Sequence, residues 1–428
     1  MSLMKIISGA EASATVERLA HRATQLANLE PRVRRIVNDV RRSGDRALRR
    51  YAQRWDGLRA NQSLRVSETE IHEAAHSIDP ALRKSLREAA ANIRRFSEWQ
   101  KPKSWTRTRA GVSLGQLVRP LESVGCYVPG GRHPLVSTLL MTVIPAQVAG
   151  VKNIRVASPN PSQEILAAAG MLGMREFYRV GGAQAIAALA YGTKSIPRVD
   201  KIVGPGNSYV TAAKKLISFD CAIDFLAGPT EAVVLNNSLS KSLSHSGTPE
   251  FIAADLVSQA EHDPEALAVF ITTNRKLARS VSLSIERMAQ DNATAKESLS
   301  RQGVILIAAS IAQARAWANC LAPEHITVSR SDVPFIHNAG SVFVGDYSPQ
   351  AAGDYASGPN HVLPTAGHAR FRGGLGVLDF VKLITVQELS ANGLRRIAPT
   401  VECLAEAEGL RAHAESIRVR RANREVRE

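Results

Sequence analysis

From Leu121 to Leu235 the chain alternates strand-length apolar runs with longer segments of helical periodicity, and glycine or proline marks the junctions. The strand-length runs are Ser123–Val128, Asn153–Ala157, Phe177–Val180, Lys201–Val203, Cys221–Phe225 and Ala232–Leu235. Between them the spacing predicts helices over Leu135–Ala149, Gln163–Met171, Ala183–Tyr191 and Tyr209–Ile217. Strands joined through helices pair in parallel with right-handed crossovers, so the alternation predicts an α/β fold around a mostly parallel sheet. After the polar, Ser-rich stretch Ser238–Thr248, which reads as a surface loop, a second run begins. It predicts helix Pro249–Ala260, strand Ala268–Thr272, helix Lys276–Met288, strand Val304–Ile307 and helix Ile311–Cys320. A chain of 428 residues has room for two such domains with separate cores.

Three turns that follow strands are rich in glycine: Pro129-Gly130-Gly131, Gly181-Gly182 and Gly204-Pro205-Gly206-Asn207. Glycine at such a turn lets backbone N–H groups approach an anion at a helix start, which points to a nucleotide cofactor. None is a G-x-G-x-x-G fingerprint, so the turns do not identify the cofactor. The segment up to about residue 110 reads as helical, and so does the section from Gly376 onward. In the first, Ser67-x-x-Glu70 forms a capping box ahead of Ile71, Ala74, Ala75 and Ile78. His72-Glu73-Ala74-Ala75-His76 inside that helix matches a zinc-protease pattern, but both histidines flank the apolar stripe and Pro80 follows closely. The motif is read as a surface feature.

A net charge of +15 raises the question of nucleic acid. Much of it lies in two Arg-rich stretches, Arg32–Arg54 and Arg411–Arg427. In the first, Val33, Ile36, Val37, Val40, Ala47, Leu48 and Tyr51 recur at helical spacing, so the arginines form a solvated face around a core stripe. No aromatic interleaving accompanies them, and nucleic acid is not an expected partner. No apolar run is long enough for a bilayer, and the N-terminus lacks a charged-then-apolar leader pattern. Cys126, Cys221, Cys320 and Cys403 are scattered without a CxxC pair, which fits a reducing cytoplasm.

The stretch from Ala322 to Thr365 carries the densest chemistry. Pro323 stiffens the approach to an adjacent acid and base, Glu324 and His325, whose side chains on an extended segment would address two sides of one site. Asp354 among small residues and His361 follow. Glu324 could instead be a structural carboxylate orienting His325. Upstream, Gln259 and His262 lie three apart at a helix end, so an amide oxygen and an imidazole can reach one cation. Asp354 and His413 would add donors of the kind Zn²⁺ prefers, although Mn²⁺ or Co²⁺ would also accept them.

Cumulatively the chain resembles the L-histidinol dehydrogenase family, nearly end to end. The resemblance is carried by VRRSGDRALRRYAQRWDG (Val40–Gly57), GCYVPGG (Gly125–Gly131), STLLMTVIPAQVAGV (Ser137–Val151), GGAQAIAALAYGT (Gly181–Thr193) and VGPGNSYVTAAKK (Val203–Lys215). DFLAGPTE (Asp224–Glu231), DLVSQAEHDP, APEH, GSVFVGDYSPQAAGDYASGPNHVLPT and AEAEGLRAH (Ala405–His413) continue it in order. The resemblance implies an NAD-dependent, zinc-containing homodimer that oxidises L-histidinol to L-histidine through the aldehyde. It implies two incomplete, doubly wound Rossmann-like domains. A helical N-terminal arm would span 1–21, and a larger domain, 22–126 with 231–375, would carry the metal and acid–base residues. The dinucleotide-binding domain would be 127–230, and an extension, 376–428, would be exchanged between subunits. By motif position, Gln259, His262, Asp354 and His413 would hold one zinc per subunit, and Glu324 and His325 would be the catalytic pair. Thr230, His361 and Glu408 would join these six around the substrate. Tyr127, Gln184 and Asn207 would hold NAD, and His413 and Glu408 would complete the partner's site.

Some positions depart from the family pattern. Arg132-His133-Pro134-Leu135-Val136 is bulkier than the usual turn, the segment from Ser238 is longer, and Thr230 stands where Ser is common. A mechanism that traps the aldehyde on cysteine would fall to Cys126, which has no cationic neighbour in sequence. The rival readings are a paralogue acting on another small alcohol and a non-catalytic basic binding protein.

Overall fold

The structure is a computed structural model, and it describes residues 2–22, 26–130, 135–236 and 248–422. The unusual turn residues Arg132, His133 and Pro134 and the Ser-rich stretch 238–247 lie outside the described residues.

The chain opens with strand β1 (Lys5–Ser8) and helices α1 (Gly9–Ala20), α2 (Glu30–Ser43), α3 (Asp45–Trp55), α4 (Glu68–Ser77) and α5 (Pro80–Gln100). Strands β2 (Trp105–Arg109) and β3 (Val112–Pro120) come next. The first alternating run is β4 (Ser123–Tyr127), α6 (Val136–Ala149), β5 (Asn153–Ala157), α7 (Gln163–Met171), β6 (Glu176–Tyr178), α8 (Gly182–Tyr191), β7 (Lys201–Val203), α9 (Ser208–Ile217) and β8 (Ala222–Ile223). The second begins with β9 (Glu231–Asn236), α10 (Thr248–Ala260), β10 (Leu267–Thr272), α11 (Arg275–Met288), α12 (Ala293–Gln302) and β11 (Val304–Ile307). It ends with α13 (Ile311–Leu321), β12 (His325–Val328), β13 (Ser341–Val344) and α14 (Gln350–Tyr355). Strand β14 (Val381–Leu389) and helices α15 (Ala391–Ala407) and α16 (Arg411–Ala422) complete the chain.

Two compact units result, Met1–Gln100 with Leu121–Phe380, and Lys101–Pro120 with Val381–Glu428. The first unit holds two parallel sheets. One runs β6-β5-β4-β7-β8 and the other β1-β11-β10-β9-β12-β13. Counted within its own run, each follows the doubly wound order third, second, first, fourth, fifth, and β1 adds an outer strand to the larger sheet. The mixed α/β class with parallel sheets is therefore as expected. Sequence alternation produced it because the strands are apolar on both faces: all of β4 and all of β10 are buried. Helix α2 buries Val33, Ile36, Val37 and Val40 and leaves its arginines outward, as the periodicity predicts. The capping box at the start of α4 is also present, with Ser67 and Glu70 each satisfying the other's backbone N–H.

In the second unit, β14 pairs antiparallel with β3 from Val381↔Pro120 to Leu389↔Val112, and β2 adds to the other side of β3. Helices α15 and α16 pack on each other. This unit corrects two expectations. The helical reading up to residue 110 ends at Gln100, and the section after Gly376 passes through a short 3-10 turn, Val377–Phe380, into a nine-residue strand. Val381, Ile384, Thr385 and Val386 are β-branched residues that favour a pleated surface, but their partners lie more than 250 residues away, beyond the reach of local periodicity. The N-terminal segment likewise contains a strand, β1, ahead of its helix, and it pairs with β11. Among the described residues no helix is long and apolar enough to cross a membrane.

The turn after β7 is the tightest constraint on the smaller sheet. Gly204 has φ of +114°, and a Cβ there would overlap the Tyr127 carbonyl oxygen. Gly204→Ala should therefore lower stability by about 2 kcal/mol or more. Gly373→Ala, at an open position with nothing within 4 Å, should leave the urea midpoint unchanged. Equal midpoints for the two variants would refute the constraint.

Candidate active site

Strands β9 and β12 are neighbours in the larger sheet, with His325 opposite Ala232. That register sets Pro323 and Glu324, just before β12, beside Thr230 and Glu231 at the start of β9. Ala322, at φ +45°, caps α13, and Pro323 then turns the chain into the strand. Glu324 Oε2 accepts hydrogen bonds from Thr230 Oγ1 at 2.7 Å and from the Glu231 N–H at 3.0 Å. In return the Glu324 N–H donates to Glu231 Oε2 at 3.3 Å. His325 Nδ1 faces the Glu231 carbonyl at 3.4 Å and lies 3.7 Å from Glu324 Oε2, while Nε2 is 3.4 Å from Asp354 Oδ1. Phe343 stacks on the imidazole, with ring centroids 5.9 Å apart.

Both members of the pair are buried. Burial pushes the Glu324 carboxyl well above its ordinary value, against the opposing pull of His325. Burial alone would lower the His325 imidazole, but Glu324 first and then Asp354 outweigh it and raise that group instead. Both groups are therefore shifted upward, Glu324 by burial and His325 by its acidic neighbours.

Asp354 ends a ladder between α10 and α14. On the upper rung, Gln259 Nε2 donates to Asp354 Oδ2 at 3.0 Å, and Thr230 Oγ1 lies 3.0 Å from Gln259 Oε1. One helical turn back on both elements, Asp255 Oδ1 accepts the Gln350 N–H and Oδ2 accepts Thr327 Oγ1, each at 3.4 Å. Gln350 Nε2 donates to Thr327 at 3.1 Å. Burial pushes Asp255 up to about 6, helped by Asp354 and opposed by the Gln350 and Thr327 hydrogen bonds and by His325.

His262 follows the end of α10, its N–H donating to the Gln259 carbonyl at 3.3 Å. Its exposed side chain lines a cavity of about 730 Å³ with Leu140, Glu261 and Tyr355. His361 is held at both nitrogens: Nδ1–H donates to the Asp354 carbonyl at 2.7 Å, so Nε2 accepts from Thr138 Oγ1 at 3.3 Å. Of the residues expected to hold a metal, Gln259, His262 and Asp354 thus sit around the end of α10 in the first unit. His413 and Glu408 belong to the second unit, where both are exposed. Among the described residues no three of His, Cys, Asp and Glu gather as a metal site. An amide oxygen, an imidazole and a carboxylate oxygen nevertheless suit Zn²⁺ in kind, and that trio leaves one tetrahedral position for a further donor.

The three residues expected at a dinucleotide line one cavity of about 610 Å³ on the carboxyl side of the smaller sheet, together with Trp55, Asp56 and Gly182. Tyr127 Oη accepts the Gly182 N–H at 3.1 Å, and Asn207 Oδ1 caps α9 through the Tyr209 and Val210 N–H groups. Gln184 Nε2 donates to Asp56 Oδ2 at 3.0 Å, and the Gly181 N–H reaches the same oxygen at 2.9 Å. The donors and turns suit an extended polar cofactor.

Sequence reasoning missed Asp56, Asp255, Glu231 and Arg22. Asp56, Arg22 and Glu231 lie at helix ends or a strand start and Asp255 lies within α10, all in ordinary local patterns to which only the tertiary contact gives meaning. An unpaired acid in an apolar stretch was the available signal for Glu231, in Gly-Pro-Thr-Glu before Ala232-Val233-Val234. Cys126 is fully buried, and burial pushes its thiol up to about 12, so it offers no thiolate. His72 and His76 are exposed on α4, with His76 Nδ1 donating to the His72 carbonyl at 2.8 Å.

A profile of the histidinol dehydrogenase family matches residues 19–421. The histidinol dehydrogenase of Methanothermobacter thermautotrophicus is 48% identical over 404 residues, covering 90% of this chain and 92% of that one. The histidinol dehydrogenase of Aliivibrio fischeri is 43% identical over 410 residues, covering 93% and 91%. A crystal structure of histidinol dehydrogenase from Elizabethkingia anophelis matches with a TM-score of 0.91 at 36% identity, covering 98% of each chain. Fold and likeness together make this chain an oxidoreductase of mixed α/β architecture. Within that class it belongs to the histidinol dehydrogenase family.

The Asp255 carboxyl supplies a pH test of this geometry. Its folded value lies above the unfolded one of about 3.9, so the native state binds more protons between the two and loses stability as pH rises through about 6. Asp255→Asn removes that loss. The variant should gain on the parent between pH 5 and pH 7.5 in urea midpoint, and a constant difference would show that Asp255 is not buried as described.

Proposed function

We propose that this protein oxidises L-histidinol to L-histidine through L-histidinaldehyde, the last steps of histidine biosynthesis, in the cytoplasm. NAD would be the oxidant, with one zinc ion per subunit. The observation that carries this reading is the convergence of Thr230, Gln259, Glu324, His325 and Asp354 in one hydrogen-bonded group, in a chain of this family.

His325 is the base for the alcohol. As the hydroxyl proton arrives, the imidazolium gains Glu324 and Asp354 on its two sides, which lowers the cost of charging a buried ring. The aldehyde must then add water before a second oxidation. Glu324 Oε2 is held by Thr230 and the Glu231 N–H, while Oε1 makes no hydrogen bond among the described residues and is free to take a proton from that water. His325, once it has released the first proton to solvent, takes the remaining hydroxyl proton of the hydrate. His361, with both ring nitrogens engaged, fixes the wall of the site between Thr138 and the α14 backbone. Tyr127, Gln184 and Asn207 would hold NAD, which would supply the hydride acceptor. Gln259, His262, Asp354 and His413 would hold zinc, which would supply positive charge toward the imidazole and amino nitrogens of the substrate.

The same reading divides the chain as the resemblance implies. Residues 127–230 hold the dinucleotide, residues 22–126 and 231–375 carry the metal and acid–base groups, and 1–21 form an arm. The extension 376–428 is exchanged in a homodimer, so that His413 and Glu408 serve the partner's site. The exposure of both side chains in their own unit supports this. No nucleic acid or membrane partner is assigned.

Two outcomes test the proposal. Mixing the protein and NAD with limiting L-histidinol should give two NADH per substrate, and His325→Ala should lower the rate by roughly 10²–10⁴-fold with the fold retained. Turnover of another small alcohol but not of histidinol would keep the mechanism and overturn the substrate. Removing metal with a chelator should abolish activity, and zinc should restore it in proportion to the bound metal measured by elemental analysis. Full activity in metal-free protein would defeat the zinc assignment.

A further inference from the structure

Glu231 is a second buried carboxylate beside the acid–base pair, and neither oxidation uses it. It is 3% exposed, and donors surround both oxygens. Arg22 donates from Nε to Oε1 at 2.6 Å and from a terminal nitrogen to Oε2, a two-point pairing that a lysine cannot reproduce. The Ala366 N–H reaches Oε1 at 2.8 Å, and the Glu324 N–H reaches Oε2 at 3.3 Å. The other terminal nitrogen of Arg22 donates to the carbonyls of Leu19, near the end of α1, and Leu321, the last residue of α13, at 2.7 and 2.8 Å.

One guanidinium therefore ties two helix ends to the first residue of β9. Between Leu321 and Glu324 the chain passes through Ala322 at φ +45°, and on the far side of the carboxylate Ala366 stands at φ +53°. Alanine rarely adopts this left-handed conformation, which persists where surrounding contacts over-determine it. Glu231 touches the backbone on both sides, at Glu324 and at Ala366. It also lies against Glu324, and two buried carboxylates in contact would repel were one not neutralised.

We propose that the Arg22–Glu231 pair is the positioning device for Glu324: it locks the strained approach to that residue and cancels the neighbouring charge, so that Glu324 holds its reactive oxygen toward the substrate. The inference rests on the reading of Glu324 as an acid–base residue. Arg22 and Glu231 act through Glu324 and touch no substrate.

The test uses the full-length enzyme with NAD and L-histidinol. Arg22→Ala should lower kcat about tenfold or more while the KM for histidinol stays within about threefold, because the lost interaction orients the reacting group rather than binding substrate. Guanidinium ion at low millimolar concentration should restore several-fold of the lost rate, whereas the same concentration of sodium chloride should not. Rescue of that kind separates positioning from simple destabilisation, which guanidinium would worsen. Glu231→Gln, which preserves shape, covers the case in which Arg22→Ala fails to fold, and it should show the same loss in kcat. Full kcat in either variant, or a loss in folded Arg22→Ala that guanidinium leaves untouched, overturns the proposal. Glu324→Gln in parallel distinguishes the failures: if it retains turnover, the assignment of Glu324 falls; if it is inactive while Arg22→Ala is not, the positioning role alone falls.

Discussion

The register of two parallel strands governs the site. Because β12 sets His325 opposite Ala232 on β9, Thr230, Glu231, Glu324 and His325 meet at one end of the sheet, each from a position just before or at a strand start. A slip of one residue would send every side chain of β12 to the other face and part Glu324 from Thr230 and the Glu231 N–H that hold its carboxylate. The register is in turn fixed by burial on both faces, since Ala232, Val233 and Ile326 are fully enclosed. The apolar core thus specifies the distance between the acid of β12 and the donors of β9 that hold it.

Concentrating charge in such a place is expensive, and the fold offsets the cost locally. Glu231 has Arg22, and His325 stands between Glu324 and Asp354. The smaller sheet repeats the device: buried Lys214 Nζ reaches Asp224 Oδ1 at 2.6 Å and the Gly204 carbonyl at 2.5 Å, while the Gly204 N–H donates to Asp224 Oδ2 at 2.8 Å. That pair stiffens the turn leading to Asn207. In both sheets a paired, fully hydrogen-bonded charge shapes a loop that has to hold one conformation, a specificity role distinct from any gain in stability. The overall excess of basic residues is a separate matter, displayed mostly on exposed helix faces such as that of α2.

Much of this was legible in the sequence. Strands Asn153–Ala157, Lys201–Val203 and Val304–Ile307 and helix Gln163–Met171 follow directly from apolar periodicity, because each is local and flanked by turn residues. The glycine turns at equivalent strand ends pointed to a cofactor, and the resemblance supplied Tyr127, Gln184 and Asn207, which line one cavity. Strands β2, β3 and β14 were not legible. Strands β2 and β14 are largely exposed and β3 is only partly buried, their alternation is imperfect, and β14 pairs with residues far away in sequence. Asp56, Asp255, Glu231 and Arg22 escaped for the same reason: a carboxylate's partner across a domain leaves no mark on the residues beside it. Motif resemblance supplied expected roles for the site residues, but it is silent about what holds them in place.

The two sheets of the first unit share a strand order yet use opposite ends. The dinucleotide-type cavity opens where strands of the smaller sheet finish, at Tyr127 and beyond Val203, whereas Glu231 and His325 stand where strands of the larger sheet begin. Strand β9 has six residues, so its far end lies roughly 20 Å from the acid–base pair. A side chain at that far end, at Asn236, can accordingly be changed without reaching the chemistry. For protein engineering the length of one strand is thus the spacing between a place for a reporter side chain and the place where protons move.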